Sequence, residues 1–261
     1  MDKIQIRLLN QGTLADAERL MVTCARLTQR GQEISSVEDF MSLYEKPYSA
    51  QTVKHLASLP HPTLQKFGSI AIVIVGASRR FLAQITRHQN EVKFMSASLQ
   101  YSDMSGSAGF VVPYEVIAGD AENCQDYIRT NRQAIQAYEK FIADGGDQDS
   151  AGYLMPHSMR NTLVISATPY QWKHMIRQRT CRRNTGETRY VMLRCWEALM
   201  EVAPAMFADA GPFCMRGRCE EGVMCCNHPI DKSWNPTHIL HEDFPLLYEH
   251  YEITPWNPQK L

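Results

Sequence analysis

Residues 69–75 read SIAIVIV, and residues 76–89 continue as GASRRFLAQITRHQ. The first stretch is apolar and rich in β-branched residues, which predicts a buried strand. The second stretch predicts a helix over 77–88, because its apolar residues recur at helical spacing. That helix ends in Arg87 and His88, followed by a loop rich in hydroxyl groups. Such an end can hold a polar ligand, although an Arg–His pair at a helix end is more often a surface feature.

Patterns on either side place the other elements. Residues 3–9 alternate apolar and polar side chains, which is typical of a strand. Residues 168–171 read TPYQ and combine an N-cap threonine, a proline at N1 and a glutamine at N3. They predict a helix from Thr168 to about Arg179. We also predict a strand over 159–166 and a loop with short strands over 89–119. The other predicted helices cover residues 13–31, 36–46, 49–58, 120–143 and 185–211. Their predicted N-caps are, in the same order, Thr13, a serine, a serine, Asp120 and Thr185.

The order of these elements mixes helices with strands, and the strands are few and far apart. That order predicts an α/β or mixed α+β fold. No linker-like stretch interrupts the chain, so we predict one continuous domain over residues 1–227. Residues 228–261 contain five prolines, which predicts a mostly irregular tail packed on the same domain.

Composition excludes some classes of protein. The chain has 261 residues, 44% of them hydrophobic, and can bury a core without disulfides or metals. Its 27 basic and 28 acidic residues give a net charge of −1, which argues against binding nucleic acid with the whole surface. The longest apolar stretch falls far short of the roughly 18 residues of a membrane-spanning helix, and no signal-peptide pattern is visible. We therefore expect a cytoplasmic protein with no membrane partner.

Cysteines cluster near the end of the predicted domain. All eight are expected to stay reduced in the cytoplasm, and four of them lie within residues 214–226. Cys214, Cys219 and Cys225 are separated by four and then five residues, at or beyond the edge of the C-x2–4-C spacing of zinc sites. Buried free thiols are common. The spacing therefore favours a metal-free cluster, with zinc as the open alternative.

The densest positive charge lies in residues 173–194, which read KHMIRQRTCRRNTGETRYVMLR. This segment holds seven Lys or Arg residues and one Glu. Arginines at a helix end can simply complement the helix dipole. So many close guanidinium groups favour an anion that joins them, above all a phosphate. The sequence contains neither GxGxxG nor GxxxxGK[ST], so a nucleotide or flavin would bind without a Rossmann or P-loop frame.

Five segments in the same order resemble the flavin-dependent thymidylate synthases, and the likeness covers about residues 60–226. The family's Arg-His-Arg motif and the serine loop after it correspond to residues 84–89 (QITRHQ) and 98–102 (SLQYS). A flavin-contacting His-x-Thr/Ser element corresponds to His61-Pro-Thr63. Residues 156–179 match a family strand and helix in spacing, and 179–189 (RTCRRNTGETR) resemble R-x-C-x-R-A-Q-W-E-I-R. Residues 210–225 are similar to the end of one branch of the family.

The resemblance implies a thymidylate synthase-complementing-protein-like fold with a central, mostly antiparallel sheet flanked by helices. It implies methylation of dUMP to dTMP, with FAD carrying the hydride, methylenetetrahydrofolate as carbon donor and NADPH as reductant. It also implies a homotetramer with active sites at subunit interfaces. The net charge of −1, and not the resemblance, predicts that there is no nucleic-acid partner. Arg179 and Ser98 match family positions that take part in the reaction. The implied substrate-side residues are Gln84, Arg87, Ser98, Gln100 and Arg179, and the implied flavin-side residues are Thr63, Arg87, His88, Gln89, Thr168, His174 and Arg183.

Four positions depart from the family pattern. Gln89 and Gln100 replace arginines, Lys66 stands where a glutamate is frequent, and Tyr170 replaces the arginine of an Asn-Ala-Arg helix start. These departures motivate an alternative, a diverged flavoenzyme that acts on another pyrimidine nucleotide or transfers another one-carbon group. A third hypothesis is a nucleic-acid-binding module that uses the arginine-rich segment and a zinc-held cysteine cluster.

Overall fold

The structure, a computed structural model, describes residues 4–106 and 109–249. The beginning of the predicted strand 3–9 and residues 250–261 of the predicted tail lie outside the described residues. The strands are β1 (Gln5–Leu8), β2 (Ile70–Ser78), β3 (Val92–Ser96) and β4 (Arg160–Ala167). The helices are α1 (Gln11–Arg30), α2 (Val37–Glu45), α3 (Ala50–Ser58), α4 (Arg79–Ile85), α5 (Tyr114–Ile117), α6 (Ala121–Ala143), α7 (Gln148–Gly152), α8 (Pro169–Arg179), α9 (Gly186–Val202), α10 (Pro204–Phe207), α11 (Pro236–Asp243) and α12 (Pro245–Glu249).

The strands pair antiparallel in one sheet of order β1-β2-β4-β3. β2 and β4 form its centre, with Ile72 opposite Ile165. The register shifts between Val75 and Ala77, where Gly76 has a φ of 85°. Glycine adopts this left-handed conformation without a steric penalty, which suits it to a β-bulge. The predicted mixed fold with a central antiparallel sheet flanked by helices is confirmed.

One face of the sheet carries the core. Ile70, Ile72 and Ile74 of β2 are fully buried, whereas Val75 is 40% exposed. α9 packs against β1 and β2, and α1 packs against β2. Trp172 of α8 is buried, and its indole Nε1 donates to the carbonyl oxygen of Ile70 at 2.9 Å. This hydrogen bond fixes α8 against the beginning of β2.

Side-chain caps begin several helices as predicted. Two serines cap α2 and α3, Asp120 caps α6, and the Thr168 hydroxyl accepts from the backbone N–H of Gln171 at 3.2 Å. The predicted cap at Thr13 is wrong, because α1 begins two residues earlier and Asn10 stands at the N-cap position. The Asn10 amide instead pairs with β2, donating to Ser69 O and accepting from Ala71 N at 2.8 Å each. The Asn10 side chain thus makes tertiary hydrogen bonds instead of a local cap for α1.

Two predicted helices are shorter than the apolar pattern indicated. β2 continues to Ser78, whose hydroxyl caps α4, so that helix covers 79–85 instead of 77–88. Arg87 and His88 therefore lie in the turn after α4 and not within it. The helix predicted over 185–211 ends at Val202, because Pro204 has no backbone N–H and begins α10. α5 and α7 are short helices that the sequence did not predict.

The segment after residue 227 is more regular than predicted. α11 and α12 lie there, and each begins with a proline at its first position. Proline suits the first turn of a helix, where its missing N–H has no partner to lose. Leu240 and Phe244 are fully buried in the main core. Across residues 4–106 and 109–249, no helix is both long enough and apolar enough to cross a membrane.

Candidate active site

Arg179, the last residue of α8, is the centre of the candidate site. Its Nε donates to Nε2 of His88 at 2.9 Å, and its Nη2 donates to the carbonyl oxygen of Gln84 at 3.0 Å. Its Nη1 donates to Oδ1 of Asn184 at 3.3 Å. Two segments that are distant in sequence, 84–88 and 179–184, thus meet at one half-buried guanidinium group. Burial lowers the pKa of Arg179, and the charge of Arg87 nearby lowers it further.

His88 is held as a neutral acceptor. Burial lowers its pKa to about 4, with smaller effects from Arg179 and His174. Because Nε2 accepts from Arg179, the ring proton must lie on Nδ1. The ring packs edge-to-face on His174, with 5.5 Å between the ring centroids. Burial also lowers the pKa of His174, so the pair leaves Arg179 as the cation of this cluster.

We expect NMR titration to give His88 a pKa of about 4, well below its ordinary value of 6.5. Between those two pH values the unfolded chain binds this proton more readily than the folded chain does. The free energy of unfolding must therefore fall as the pH drops from 6.5 to 4. Urea unfolding measures this decrease. From pH 6.5 to pH 4, the free energy of unfolding should decrease less for His88→Gln than for the wild type. Equal slopes for the two proteins, or a His88 pKa near 6.5, would contradict the assigned state.

The side chain of Gln84 is oriented by the first turn of α9. Its Oε1 accepts from the hydroxyl of Thr188 at 2.5 Å and lies 3.5 Å from the hydroxyl of Thr185. The amide nitrogen is therefore the group that remains for a ligand. The sequence did not predict these roles of Thr185 and Thr188, because they depend on contacts with Gln84 of α4. It also did not predict the contact of Asn184 with Arg179.

A buried carboxylate fixes α9 against the beginning of α4. Glu187 is 6% exposed and accepts from both the backbone N–H and the hydroxyl of Ser78, at 2.6 and 2.5 Å. Burial raises its pKa, and the two hydrogen bonds from Ser78 oppose that shift. This contact fixes the position of α9, which carries Thr188, relative to α4, which carries Gln84.

The arginine-rich segment is partly neutralised within the chain. Arg182 pairs with Asp243 of α11 at 2.8 Å, and Arg189 pairs with the same carboxylate. Arg182 also donates to the carbonyl oxygen of His228 at 2.9 Å. Among the described residues, Arg177, Arg179 and Arg183 of this segment form no ion pair, and the exposed Arg87 lies near Arg179 from the turn after α4. The predicted anion site thus narrows to these arginines.

A second polar network surrounds the beginning of α8. The hydroxyl of Thr168 donates to Oε2 of Glu91 at 2.9 Å, and Glu91 pairs with Lys66 at 2.5 Å. The Lys66 ammonium lies 5.4 Å from the centroid of the Tyr170 ring, within cation–π range. Lys66 and Tyr170, two departures from the family pattern, therefore contact each other.

Other predicted site residues lie apart from Arg179. Thr63 is exposed on a short 3-10 helix over Pro62–Gln65, and Gln89 is exposed after His88. Ser98 and Gln100 follow β3, where Ser98 Oγ accepts from the Gln100 backbone N–H at 3.2 Å. Among the described residues, neither contributes a hydrogen bond to the Arg179 cluster. One chain thus assembles Gln84, Arg87, His88, His174 and Arg179, but not the serine loop.

The predicted cluster of Cys214, Cys219 and Cys225 lines a cavity of about 290 Å³. Cys181 joins the predicted cluster from the turn between α8 and α9, and Cys226 also lines the cavity. Backbone N–H groups donate to the Cys214 and Cys225 sulfurs at 3.4 Å each. In the described ranges, no three His, Cys, Asp or Glu side chains stand close enough to hold a metal. The metal-free state of Cys214, Cys219 and Cys225 stays a prediction.

The chain belongs to the thymidylate synthase complementing protein family, whose model matches residues 8–205. The family resemblance seen in the motifs is thereby confirmed. Among curated relatives, the flavin-dependent thymidylate synthase of Geobacter sulfurreducens is 26% identical over 81% of this chain and 89% of its own length. The enzyme of the same name from Thermococcus onnurineus is 27% identical over 85% of this chain and 91% of its own length.

Two solved structures share the fold. The UMP/dUMP methylase PolB from Streptomyces cacaoi, bound with 5-Br dUMP, has a TM-score of 0.63 and 16% identity, over 79% of this chain and 94% of its own. Thymidylate Synthase X from Helicobacter pylori, with FAD and dUMP, has a TM-score of 0.56 and 14% identity, over 79% of this chain and 98% of its own.

Proposed function

We propose that this protein methylates dUMP to dTMP with FAD as its bound cofactor, methylenetetrahydrofolate as carbon donor and NADPH as reductant. The observation that carries the proposal is the joining of Gln84, His88 and Arg179 into one cluster in a chain of this family. The curated relatives are named for this reaction. The cytoplasmic location, and the absence of a nucleic-acid partner, are parts of the same proposal.

The residues near Arg179 fit a flavin dinucleotide in charge and donor type. Arg87 and Arg183 are exposed, and within the described residues neither forms an ion pair, so both are available to phosphate oxygens. His88 has an Nδ1–H left to donate, since its Nε2 is already bound to Arg179. We assign Thr63, Arg87, His88, Gln89, Thr168, His174 and Arg183 to the flavin. When bound, FAD supplies the hydride chemistry.

Arg179 and Gln84 are assigned to the nucleotide. A guanidinium group stabilises negative charge that develops on the pyrimidine ring, and its fork also matches phosphate oxygens. Contacts with His88 and the Gln84 carbonyl hold the Arg179 side chain in place before the ligand arrives. The Gln84 amide donates to an acceptor on the uracil edge, because threonine hydroxyls already occupy its oxygen. Arg87, Ser98 and Gln100 complete the proposed substrate side.

Visible spectroscopy tests this proposal. Protein incubated with excess FAD and passed through gel filtration should be yellow and should carry one flavin per chain. Addition of dUMP should then shift the flavin absorption bands, since nucleotide and flavin share one site. Protein that retains no flavin, or a flavin spectrum that dUMP leaves unchanged, would contradict the proposal.

The serine loop supports a site shared between copies of the chain. Ser98 has no hydrogen bond to the Arg179 cluster of its own chain within the described residues, although both are assigned to the substrate. The outer face of the sheet is also partly uncovered, with Met95 74% and Val75 40% exposed. We therefore propose the homotetramer that the resemblance implies, in which Ser98 of one chain meets Arg179 of another.

Mixing two inactive variants tests the shared site. Arg179→Ala and Ser98→Ala should each be inactive alone as tetramers. Subunits mixed under mild dissociation should recover about one quarter of wild-type activity, because random pairing of chains gives that fraction of intact sites. Each variant dissociated and reassembled alone is the control. No recovery in mixtures that light scattering shows to be mixed tetramers would place both residues in one chain's site.

A second candidate is methylation of UMP. It is favoured by the likeness to PolB, a UMP/dUMP methylase, and by the glutamines at positions 89 and 100. Parallel titrations of UMP and dUMP into the FAD-loaded protein separate the two. Tighter binding of UMP than of dUMP would favour this second candidate.

A further inference from the structure

A polar cavity of about 410 Å³ lies beside α8, and its wall includes His174, which is assigned to the flavin, but neither Gln84 nor Arg179. Its walls come from α8, from residues 57–65 and from two residues near the cysteine cluster. The side chains that decide its chemistry are Gln65, Lys173, Arg177, Asp209 and Arg216.

Two of the three cations share one carboxylate. Lys173 is 4% exposed, and its ammonium lies 2.5 Å from Oδ1 of Asp209 and 2.8 Å from the carbonyl oxygen of Ala57. Arg216 pairs with the other oxygen of Asp209 and donates to its backbone carbonyl. One negative charge therefore faces two positive charges before Arg177 is counted.

Arg177 has no such partner. Its Nε is buried without a hydrogen bond, and within the described residues no carboxylate lies at ion-pair distance. The nearest ring is that of Phe213, with 5.9 Å between the guanidinium carbon and the ring centroid. Burial and Arg216 lower the pKa of Arg177, while Asp209, Glu220 and Tyr170 act more weakly in the other direction. Arg177 is half-buried, and a partly desolvated cation whose Nε has no hydrogen bond is stabilised when an anion joins it.

Gln65 adds an unpaired acceptor. Gln65 is 4% exposed, and its Nε2 donates to the carbonyl oxygen of Ala57 at 2.9 Å. Only the amide nitrogen can donate to a carbonyl, so this bond fixes which end is the oxygen. Oε1 has no hydrogen-bond partner among the described residues, although Gln65 lines the cavity. Because buried acceptors in proteins are normally hydrogen-bonded, we expect a ligand N–H or O–H group to donate to this oxygen.

We infer that this cavity is an anion subsite for a co-substrate, in which Arg177 binds a carboxylate or phosphate and Gln65 accepts from an N–H or O–H group beside it. The inference rests on the proposed function. Two of its ligands have this chemistry. The glutamate of the folate has a carboxylate next to an amide N–H, and NADPH has a 2′-phosphate next to a ribose hydroxyl. Lys173 and Arg216 add positive charge behind both.

Calorimetric titrations of the FAD-loaded wild type and Arg177→Gln test the subsite. The probes are methylenetetrahydrofolate, its analogue lacking glutamate, NADPH and NADH. Arg177→Gln should weaken one of the complete ligands about 10- to 150-fold, the range for losing one charge-assisted hydrogen bond. It should leave the matching truncated ligand unchanged. An effect on the folate alone identifies the glutamate, and one on NADPH alone identifies the 2′-phosphate.

Controls separate the subsite from the flavin and from the fold. The exposed Arg129→Gln on α6 should bind every probe as the wild type does. Arg177→Gln should keep its FAD and its thermal midpoint, because it removes a cation without partners. Unchanged binding of both complete ligands, or loss of FAD, would overturn the inference.

A wild type that binds neither complete ligand would contradict the proposed co-substrates and not the subsite. Inorganic phosphate then becomes the probe. It should raise the thermal midpoint of the wild type more than that of Arg177→Gln, and equal shifts would overturn the inference.

Discussion

Replacing Arg179 with alanine is expected to weaken dUMP binding to the FAD-loaded protein about 10- to 150-fold. A hydrogen bond to a charged group contributes about 1.5–3 kcal/mol, and each 1.4 kcal/mol is a factor of ten in affinity. Arg179 is the cation that His88 and the Gln84 carbonyl hold in place, so its loss also removes the order that these contacts impose. Arg179→Lys should recover part of the affinity, since it keeps the charge but not the planar fork.

Calorimetric titration of dUMP measures this effect, with flavin content and thermal midpoint checked for each variant. Arg129→Ala is the control, since Arg129 lies on α6 and, in the part of the chain that the structure describes, its one ion pair is with Asp126 of the same helix. If a folded, flavin-loaded Arg179→Ala binds dUMP as the wild type does, Arg179 merely ends its helix and takes no part in the site.

Replacing Asp243 with alanine is expected to lower the free energy of unfolding by about 3–5 kcal/mol, the range for breaking a buried ion pair by removing one partner. Asp243 is 11% exposed at its side chain and pairs with both Arg182 and Arg189. Its removal leaves Arg189, 10% exposed, without its carboxylate. It also removes the ion pair that joins α11 to Arg182 in the turn after α8.

Urea unfolding measures this loss, and Glu242→Ala is the matched control on the neighbouring residue. Glu242 is exposed, and its carboxylate lies 3.8 Å from the ring of His238 in the same helix. A surface pair of this kind contributes at most about 1 kcal/mol. A loss for Asp243→Ala no larger than that for Glu242→Ala would show that the tail does not stabilise the arginine-rich turn.

Local physics made much of the fold predictable. The apolar stretch that became β2 and the TPYQ start of α8 are signals that need no partner from elsewhere in the chain. Asn10 shows the limit, because its amide serves β2 instead of capping α1. The prolines of the tail misled in another way. They begin α11 and α12, and the burial of Leu240 in α11 and Leu247 in α12 within the main core explains why those helices are stable.

The candidate site divides along the same line. Arg179, His88 and Gln84 were found because they belong to motifs that the family shares. Asn184, Thr188 and Asp243 were not found, because each acts through a contact with a residue more than four positions away. Arg182 belongs to the arginine-rich segment in which the sequence predicted an anion site, and only the folded chain reveals its pairing with Asp243. Long-range electrostatics of this kind leave no periodic trace in a sequence.

Product analysis decides whether this protein converts dUMP to dTMP. The FAD-loaded protein is incubated with dUMP, methylenetetrahydrofolate and NADPH, and the nucleotides are separated and weighed by mass spectrometry. We expect the wild type, but not Arg179→Ala, to form a product that is one CH₂ unit heavier than dUMP and co-elutes with dTMP. A flavin-loaded wild type that binds dUMP yet returns it unchanged would contradict the claim.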